Sequence, residues 1–293
     1  MNAINKDQLQ TDATKLIVEQ LKEFESTGLT PRWLQPWSNE GKLSWPSNLD
    51  GTTYSGINVL VLLALQEKFG FPNSTWGTYN AYNAKNAQVQ KGERSAKIFF
   101  YKSLMITEKD DQGQVKLGED GQAEEVKIPL LKSFSVFNVT QTDLKQEPVE
   151  PPSKDFQCLA NALQVVDVRH GSDKAYYDRK GDFIRMPNPN QFIDEACYWA
   201  ALAHEVIHWT GAAERLNRKK GLIFGNEDYA KEELVAELGA VMLLAQFGIK
   251  PDFQSAVYIA SWIRSLEEDH KLIFKIAAQA QAAVNFLVKE EEL

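Results

Sequence analysis

The sequence predicts an α+β protein in two parts, on three observations. Each half carries short strand-like runs beside helical apolar stripes, the pattern of a small sheet packed on helices. Between the halves, Gln146-Glu147-Pro148-Val149-Glu150-Pro151-Pro152-Ser153-Lys154 sets three prolines among charges and makes a semi-stiff extended connection. In the second half, a mostly apolar helix carries His204-Glu205-Val206-Ile207-His208. The expected division is 1–145, a linker at 146–154, and 155–293. A chain of 293 residues is long enough for each part to bury a core.

Along the chain, residues 7 to 25 form an amphipathic helix, because Leu9, Ala13, Leu16, Ile17, Val18 and Leu21 make a helical stripe, and Thr27-Gly28 ends it. Trp33, Trp37 and Trp45 follow in a proline-containing stretch, irregular but anchored by aromatic burial. Residues 51 to 56 are a turn, and 57 to 65 read as a buried helix. Residues 75 to 83 end one strand and start a short helix. Gly92 turns the chain into a strand over 96–102, apolar and aromatic with a lysine near each end. Residues 108 to 125 are polar and acidic, a solvated hairpin tip or disordered loop, and strand character returns over 127 to 139.

The second half opens with a helix over 156–165, a short strand at 167–171, and a hairpin pairing 175–177 with 183–186. Pro187-Asn188-Pro189-Asn190 stops the hairpin, with Asn190 as the expected cap of the motif-bearing helix. Gly211 stands where a helix C-terminal glycine belongs. A loop over 214–226 leads to helices over 229–247, 256–266 and 270–287.

Composition narrows the function classes. A net charge of −8 argues against general nucleic-acid affinity. Between Asp50 and Glu108, however, Lys68, Lys85, Lys91, Arg94, Lys97 and Lys102 face only Glu67 and Glu93, a local excess of +4. No apolar run is long enough to span a bilayer, so no membrane partner is expected. The first seven residues carry no secretory pattern, and two cysteines in so long a chain read as buried thiols rather than a disulfide framework. Both point to the cytoplasm.

The His-Glu-x-x-His motif carries the most chemistry. On a helix, positions i and i+4 share a face, so His204 and His208 can aim at one metal ion. Glu205 lies about 100° round the helix. That puts a carboxylate where a general base would act on a water the ion activates. Glu233 follows His208 by 25 positions and opens a second helix with Glu237 four residues on. One of these two carboxylates can ligate the ion. The other can accept the free ring N–H of a histidine and fix its tautomer. Glu232 points elsewhere and is the weaker ligand. The neighbours Leu234, Val235, Ala236 and Leu238 leave little exposed face, and glutamates are seldom buried without a partner.

In the first half, Lys85, Lys91, Arg94, Lys97 and Lys102 lie among Trp76, Tyr79, Tyr82, Phe99 and Tyr101. A basic groove with aromatic platforms is what a single-strand binder needs. A strand buries one face, so about half of these aromatics are core.

Several separate motifs carry a resemblance. Tyr54-Ser55-Gly56-Ile57-Asn58, Trp76-Gly77-Thr78-Tyr79, Lys91-Gly92-Glu93-Arg94, the stretch from His204 to Gly211, and Arg215-Leu216 resemble the ArdC-type antirestriction proteins of conjugative plasmids. The resemblance spans essentially the whole chain. It implies an N-terminal domain that binds single-stranded DNA, shared with some plasmid primases. It also implies a C-terminal zincin-like metallopeptidase domain and a role in protecting entering plasmid DNA from restriction. The stretch from Glu233 to Ala240 is similar to the ligand helix of related zincins, which implies Glu233 as the third ligand and leaves Glu237 to a histidine.

Two functions follow. In the first, the chain coats single-stranded DNA and holds a metal without needing to cleave anything. In the second, it is a metallopeptidase that attacks a protein such as a restriction enzyme, with Glu205 as the general base. Either way one divalent ion is expected. Zinc suits N and O ligands at this spacing, and manganese is a second choice.

Overall fold

Helix α1, Lys6–Thr27, buries the stripe of Ile17 and Leu21 and ends where Gly28 takes a left-handed φ of 73°. In the computed structural model the chain is described over residues 6–31, 34, 45–107, 114–116, 123, 125–144, 155–218, 227–249 and 259–288, with backbone alone at 6, 101–106, 125–131 and 227. The linker 146–154, most of the polar segment 108–125, and Trp33 and Trp37 lie outside the described residues. Among the described residues, no helix is long and apolar enough to cross a membrane.

Helix α2, Ile57–Phe69, is apolar on nearly every side and correspondingly buried. It is followed by β1, Trp76–Gly77, and by α3, Tyr79–Ala84, whose N-cap Thr78 accepts from the Ala81 amide. A long antiparallel hairpin comes next. Strand β2, Ala96–Thr107, pairs along its whole length with β3, Glu125–Asn138, and β1 adds to the far side of β3. Asn58 ties α2 to this sheet, its side-chain amide donating to the Phe99 carbonyl and its carbonyl accepting from the Phe99 amide.

The second half starts with α4, Phe156–Ala162, one turn shorter than the sequence suggests. Strands β4, Val168–His170, β5, Tyr176–Asp178, and β6, Phe183–Met186, form a sheet in the order β4-β6-β5, with β4 parallel and β5 antiparallel to β6. Helix α5, Glu195–Thr210, lies against that sheet, and α6, Glu227–Gln246, packs across α5. Helices α7, Ile259–Glu268, and α8, Leu272–Leu287, complete the chain.

Three local expectations change. The cap of α5 is Asp194, which accepts from the Cys197 amide at 2.7 Å, and not Asn190; Ile193 stands outside the helix, 95% exposed. A carboxylate next to the first-turn amides is the better cap. Gly211 ends α5 at φ −82°, so its freedom for left-handed backbone is not used. The two cysteines are free, but Cys158 is exposed and Cys197 only half-buried.

Apolar packing joins the two halves. The largest apolar cluster is continuous, running from Ile17 and Leu63 through Phe99 to Leu234, Trp262 and Phe274. The Phe99 and Phe274 rings meet edge to face at 5.1 Å. Thr14 donates to the His270 carbonyl and the Gly56 amide to Gln281. Helices α1 and α2 have too much apolar surface for the small N-terminal sheet to cover, and α7 and α8 supply the rest. The sheet keeps a separate cluster of Leu62, Trp76, Ala96, Ile98 and Val136.

Candidate metal centre

Helix α5 presents His204 and His208 on one face, and α6 lies close enough to set three glutamates against them. The approach depends on Gly239, where a Cβ would meet three side-chain atoms of buried Ile207 at 2.9 Å. Glycine in mid-helix costs about 1 kcal/mol relative to alanine. Here it lets two helices touch.

The Nε2 atoms of His204 and His208 are 3.1 Å apart. Glu233 sets Oε2 at 3.4 Å from the first and Oε1 at 3.4 Å from the second. An ion bonded at about 2.1 Å in tetrahedral geometry holds its ligand atoms about 3.4 Å apart, so the three donors have the spacing of such a site. The opposite ring nitrogens are also engaged. His204 Nδ1 lies 3.3 Å from Glu237 Oε1, and His208 Nδ1 lies 3.3 Å from Glu232 Oε1. Both rings are thereby turned with Nε2 toward Glu233, the pose a metal ligand needs.

Charge fits a cation as well. Glu232, Glu233 and Glu237 are all buried, and the guanidinium of Arg218 answers only one of them. Burial alone would lower the pKa of His204, but Glu233 and Glu237 outweigh it and raise it well above the ordinary value. The same contest at His208, against Glu232 and Glu233, also ends in a raised pKa. Glu233 is held below the usual carboxylate range against burial by the two imidazoles. Glu232 is held at about 2, against burial, by His208 and Arg218. The carboxylates thus favour positive charge at the two imidazoles, which a divalent cation can supply in place of protons.

Two arginines support the site from outside the ligand set. Arg218 is buried and fully employed: it donates to Glu232 Oε1 at 2.8 Å, to the Ile207 carbonyl at 2.6 Å and to Thr210 Oγ1 at 2.7 Å. It therefore fixes under His208 a Glu232 that the sequence alone points elsewhere. Arg215 clamps the β5–β6 hairpin onto the end of α5. It donates to Asp182 at 2.6 and 3.0 Å, to the Tyr177 hydroxyl at 3.1 Å and to the Trp209 carbonyl at 2.7 Å, with its guanidinium 3.8 Å over the Trp209 ring. The Tyr177 hydroxyl donates to Asp182, and burial followed by Asp182 pushes its pKa up to about 12. The hairpin so held delivers the Tyr177 amide to Glu205 Oε2 at 2.8 Å. Arg215 carries a signal in the Arg215-Leu216 motif; Arg218 carries none.

The residues read as DNA contacts are spread over the N-terminal half. Lys85 ends α3 and pairs with Asp50 at 3.2 Å; Lys91 and Arg94 are exposed in the turn before β2. Lys97 donates to Ser135 across the hairpin, and the Lys102 side chain lies outside the described residues. Tyr79 is 52% exposed. Trp76 and Tyr82 are not stacking platforms. At 1% and 0% exposure they are core, Trp76 beneath the sheet and Tyr82 donating to the Phe137 carbonyl. Among the described residues, the aromatics that stand out from the sheet are Phe100 and Phe134.

The arrangement defines a zincin-like second half behind an N-terminal half of hairpin and helices. Residues 157–279 match the family model of a zincin-like metallopeptidase, and residues 7–137 that of the N-terminal domain of anti-restriction factor ArdC. The crystal structure of metal-free antirestriction protein ArdC from plasmid R388 is similar over 95% of this chain and 96% of that one, with 35% identity and a TM-score of 0.75. Its Mn(II)-bound form covers 99% and 98%, with 34% identity and a TM-score of 0.73. The protein y4eC of Sinorhizobium fredii is 31% identical over 96% of this chain and 92% of its own length. The DNA primase TraC of Escherichia coli is 34% identical over 94% of this chain, which spans only 27% of that primase. The chain belongs to the ArdC antirestriction family.

Proposed function

We propose that this protein binds single-stranded DNA through residues 1–145 and shields incoming plasmid DNA from restriction during conjugation, while residues 155–293 hold one divalent metal. The observation that carries the reading is the end-to-end likeness to an antirestriction protein. The local basic excess and the exposed aromatics of the N-terminal half support the DNA contact. The action is cytoplasmic, in keeping with two free cysteines.

His204, His208 and Glu233 would hold the ion, with Glu237 and Glu232 orienting the two imidazoles. Zinc suits this donor set, and manganese is the ion bound by the R388 relative. Such an ion supplies Lewis acidity when bound. Glu205 is kept out of the ligand set by its bond to the Tyr177 amide, with its second oxygen left to accept a proton. That placement favours the second reading, a metallopeptidase acting on a protein such as a restriction enzyme, because a purely structural site has no use for a general base.

The test of the first reading is fluorescence anisotropy with one labelled oligonucleotide, single-stranded and annealed to its complement. Tighter binding to the single strand is expected, with affinity falling as salt rises, because Lys and Arg contacts release counterions. Equal or tighter binding to the duplex overturns it.

A further inference from the structure

Phe100 and Phe134 share one face of the β2–β3 hairpin, since Ile98 pairs with Phe134 and Phe100 with Lys132. The inner part of that face, Ala96, Ile98 and Val136, is buried on Trp76 and Leu62. One step further out the two phenylalanines are 48% and 45% exposed, edge to face with centroids 5.3 Å apart. Two large aromatics left beside one another on a sheet are an unusual use of apolar surface.

They line a cavity of about 690 Å³ together with the loop from Asn48 to Ser55, Thr78 and Ala81. The volume falls in the range of small-ligand sites, about 300–1,000 Å³. The cavity is built in advance. Asn48 Oδ1 accepts from the amides of Asp50 and Thr52 at 2.9 Å, the Asn48 amide donates to the Thr52 carbonyl, and the Trp76 amide donates to the Ser47 carbonyl. Gly77 lets the loop close, because a Cβ there would meet Leu49 and the Tyr82 ring at 2.9 Å. Trp76, on the inner wall, has an indole N–H buried without an acceptor. Lys132, exposed, stands on the same face as the two rings.

We infer that this cavity seats one or two unstacked nucleobases of single-stranded DNA, with Phe100 and Phe134 as the stacking platform and Lys132 on the neighbouring phosphate. The inference rests on the single-strand reading above and deepens it. Aromatic faces tolerate any base, the hydroxyls of Thr52, Thr53 and Ser55 offer donors and acceptors to its edge, and a lysine at the rim suits the backbone. Bases stacked in a duplex cannot enter a concave site without being pulled from the helix, so the cavity also explains a preference for single strands.

The experiment uses the full chain with a labelled oligothymidylate and an abasic oligomer of equal length. Stacking on one aromatic is worth about 1–3 kcal/mol per base, so Phe100→Ala and Phe134→Ala should each weaken oligothymidylate binding about fivefold or more. Phe134→Trp should restore it. Each variant's melting temperature should stay well above the assay temperature, which separates a folding loss from a binding loss. The abasic oligomer should bind wild type more weakly than oligothymidylate and be indifferent to both alanines. If wild type binds single strands but either alanine variant binds as tightly, or the abasic oligomer binds equally well, the cavity assignment falls and the single-strand reading stands. If wild type does not bind single strands at all, both fall.

Discussion

Replacing Arg218 by methionine tests the buried support under His208. In the native chain Arg218 and Glu232 are both buried, and the guanidinium also satisfies the Ile207 carbonyl and the Thr210 hydroxyl. Met fills similar volume but leaves Glu232 without its cation. Removing one member of a buried ion pair costs about 3–5 kcal/mol, because the orphaned charge stays buried. At about 2–4 °C per kcal/mol for a domain of ordinary size, the melting temperature should fall by roughly 6–20 °C. Glu232 also orients His208, and losing such a support costs about 10–100-fold in metal affinity. Differential scanning calorimetry and chelator-competition titration read the two effects.

The pH dependence follows from the sign of the shift. Glu232 is depressed from 4.5 to about 2, so its contribution is present above about 4.5 and is lost as the pH falls toward 2. In Arg218→Met the folded-state pKa of Glu232 should rise, so this acid-side loss of stability should shrink. The double variant Arg218→Met/Glu232→Gln should recover part of the stability but not the metal affinity. A single variant with unchanged melting and unchanged metal affinity refutes the reasoning.

Other outcomes follow from the same geometry. His204→Ala and His208→Ala should each abolish stoichiometric divalent metal by elemental analysis, and full occupancy in both would remove the site. Metal uptake by wild type should release protons, and affinity should fall as the pH drops through the raised pKa values of the two imidazoles, measurable by calorimetry in buffers of different ionisation heat. Gly239→Ala gains about 1 kcal/mol of helix propensity but must push Ile207 aside, at a cost of about 1–3 kcal/mol, so a net loss of melting temperature is expected. Adding Ile207→Val should restore it; a Gly239→Ala chain more stable than wild type would contradict the close approach of α5 and α6.

What was legible in the sequence was whatever a fixed period decides. The i, i+4 spacing of His204 and His208, the stripe of α1 and the strand run at 96–102 depend only on local geometry, and they stand in the structure as read. What was not legible depends on how elements meet. Glu232 looked idle because its direction is set by the rotation of α6 against α5, which Gly239 and Ile207 fix from outside the motif. Arg218 sits eight residues past the end of α5 and reaches back under it, a contact no periodicity announces. Trp76 and Tyr82 look like platforms in the sequence because composition cannot tell which ring a sheet covers. Phe100 and Phe134 carry no signal in the sequence for the same reason, since their shared face appears only once the register of β2 on β3 is known. That the largest apolar cluster draws on both halves is likewise invisible in the sequence, because it depends on how α1 and α2 meet α7 and α8.

The account holds that the chain guards DNA by occupying it, with the metal centre dispensable for the shield. Glu205→Ala tests this most directly. Glu205 lies outside the predicted ligand set, so its loss should spare metal and DNA affinity while removing about two to four orders of magnitude from any reaction that needs a general base. The measurement is transfer of a plasmid bearing restriction sites into restricting and non-restricting recipients, with wild-type or Glu205→Ala protein supplied. The account predicts equal protection by the two. A Glu205→Ala protein that keeps its metal and its single-strand affinity, yet no longer shields the plasmid, would contradict it and establish proteolysis as the means of protection.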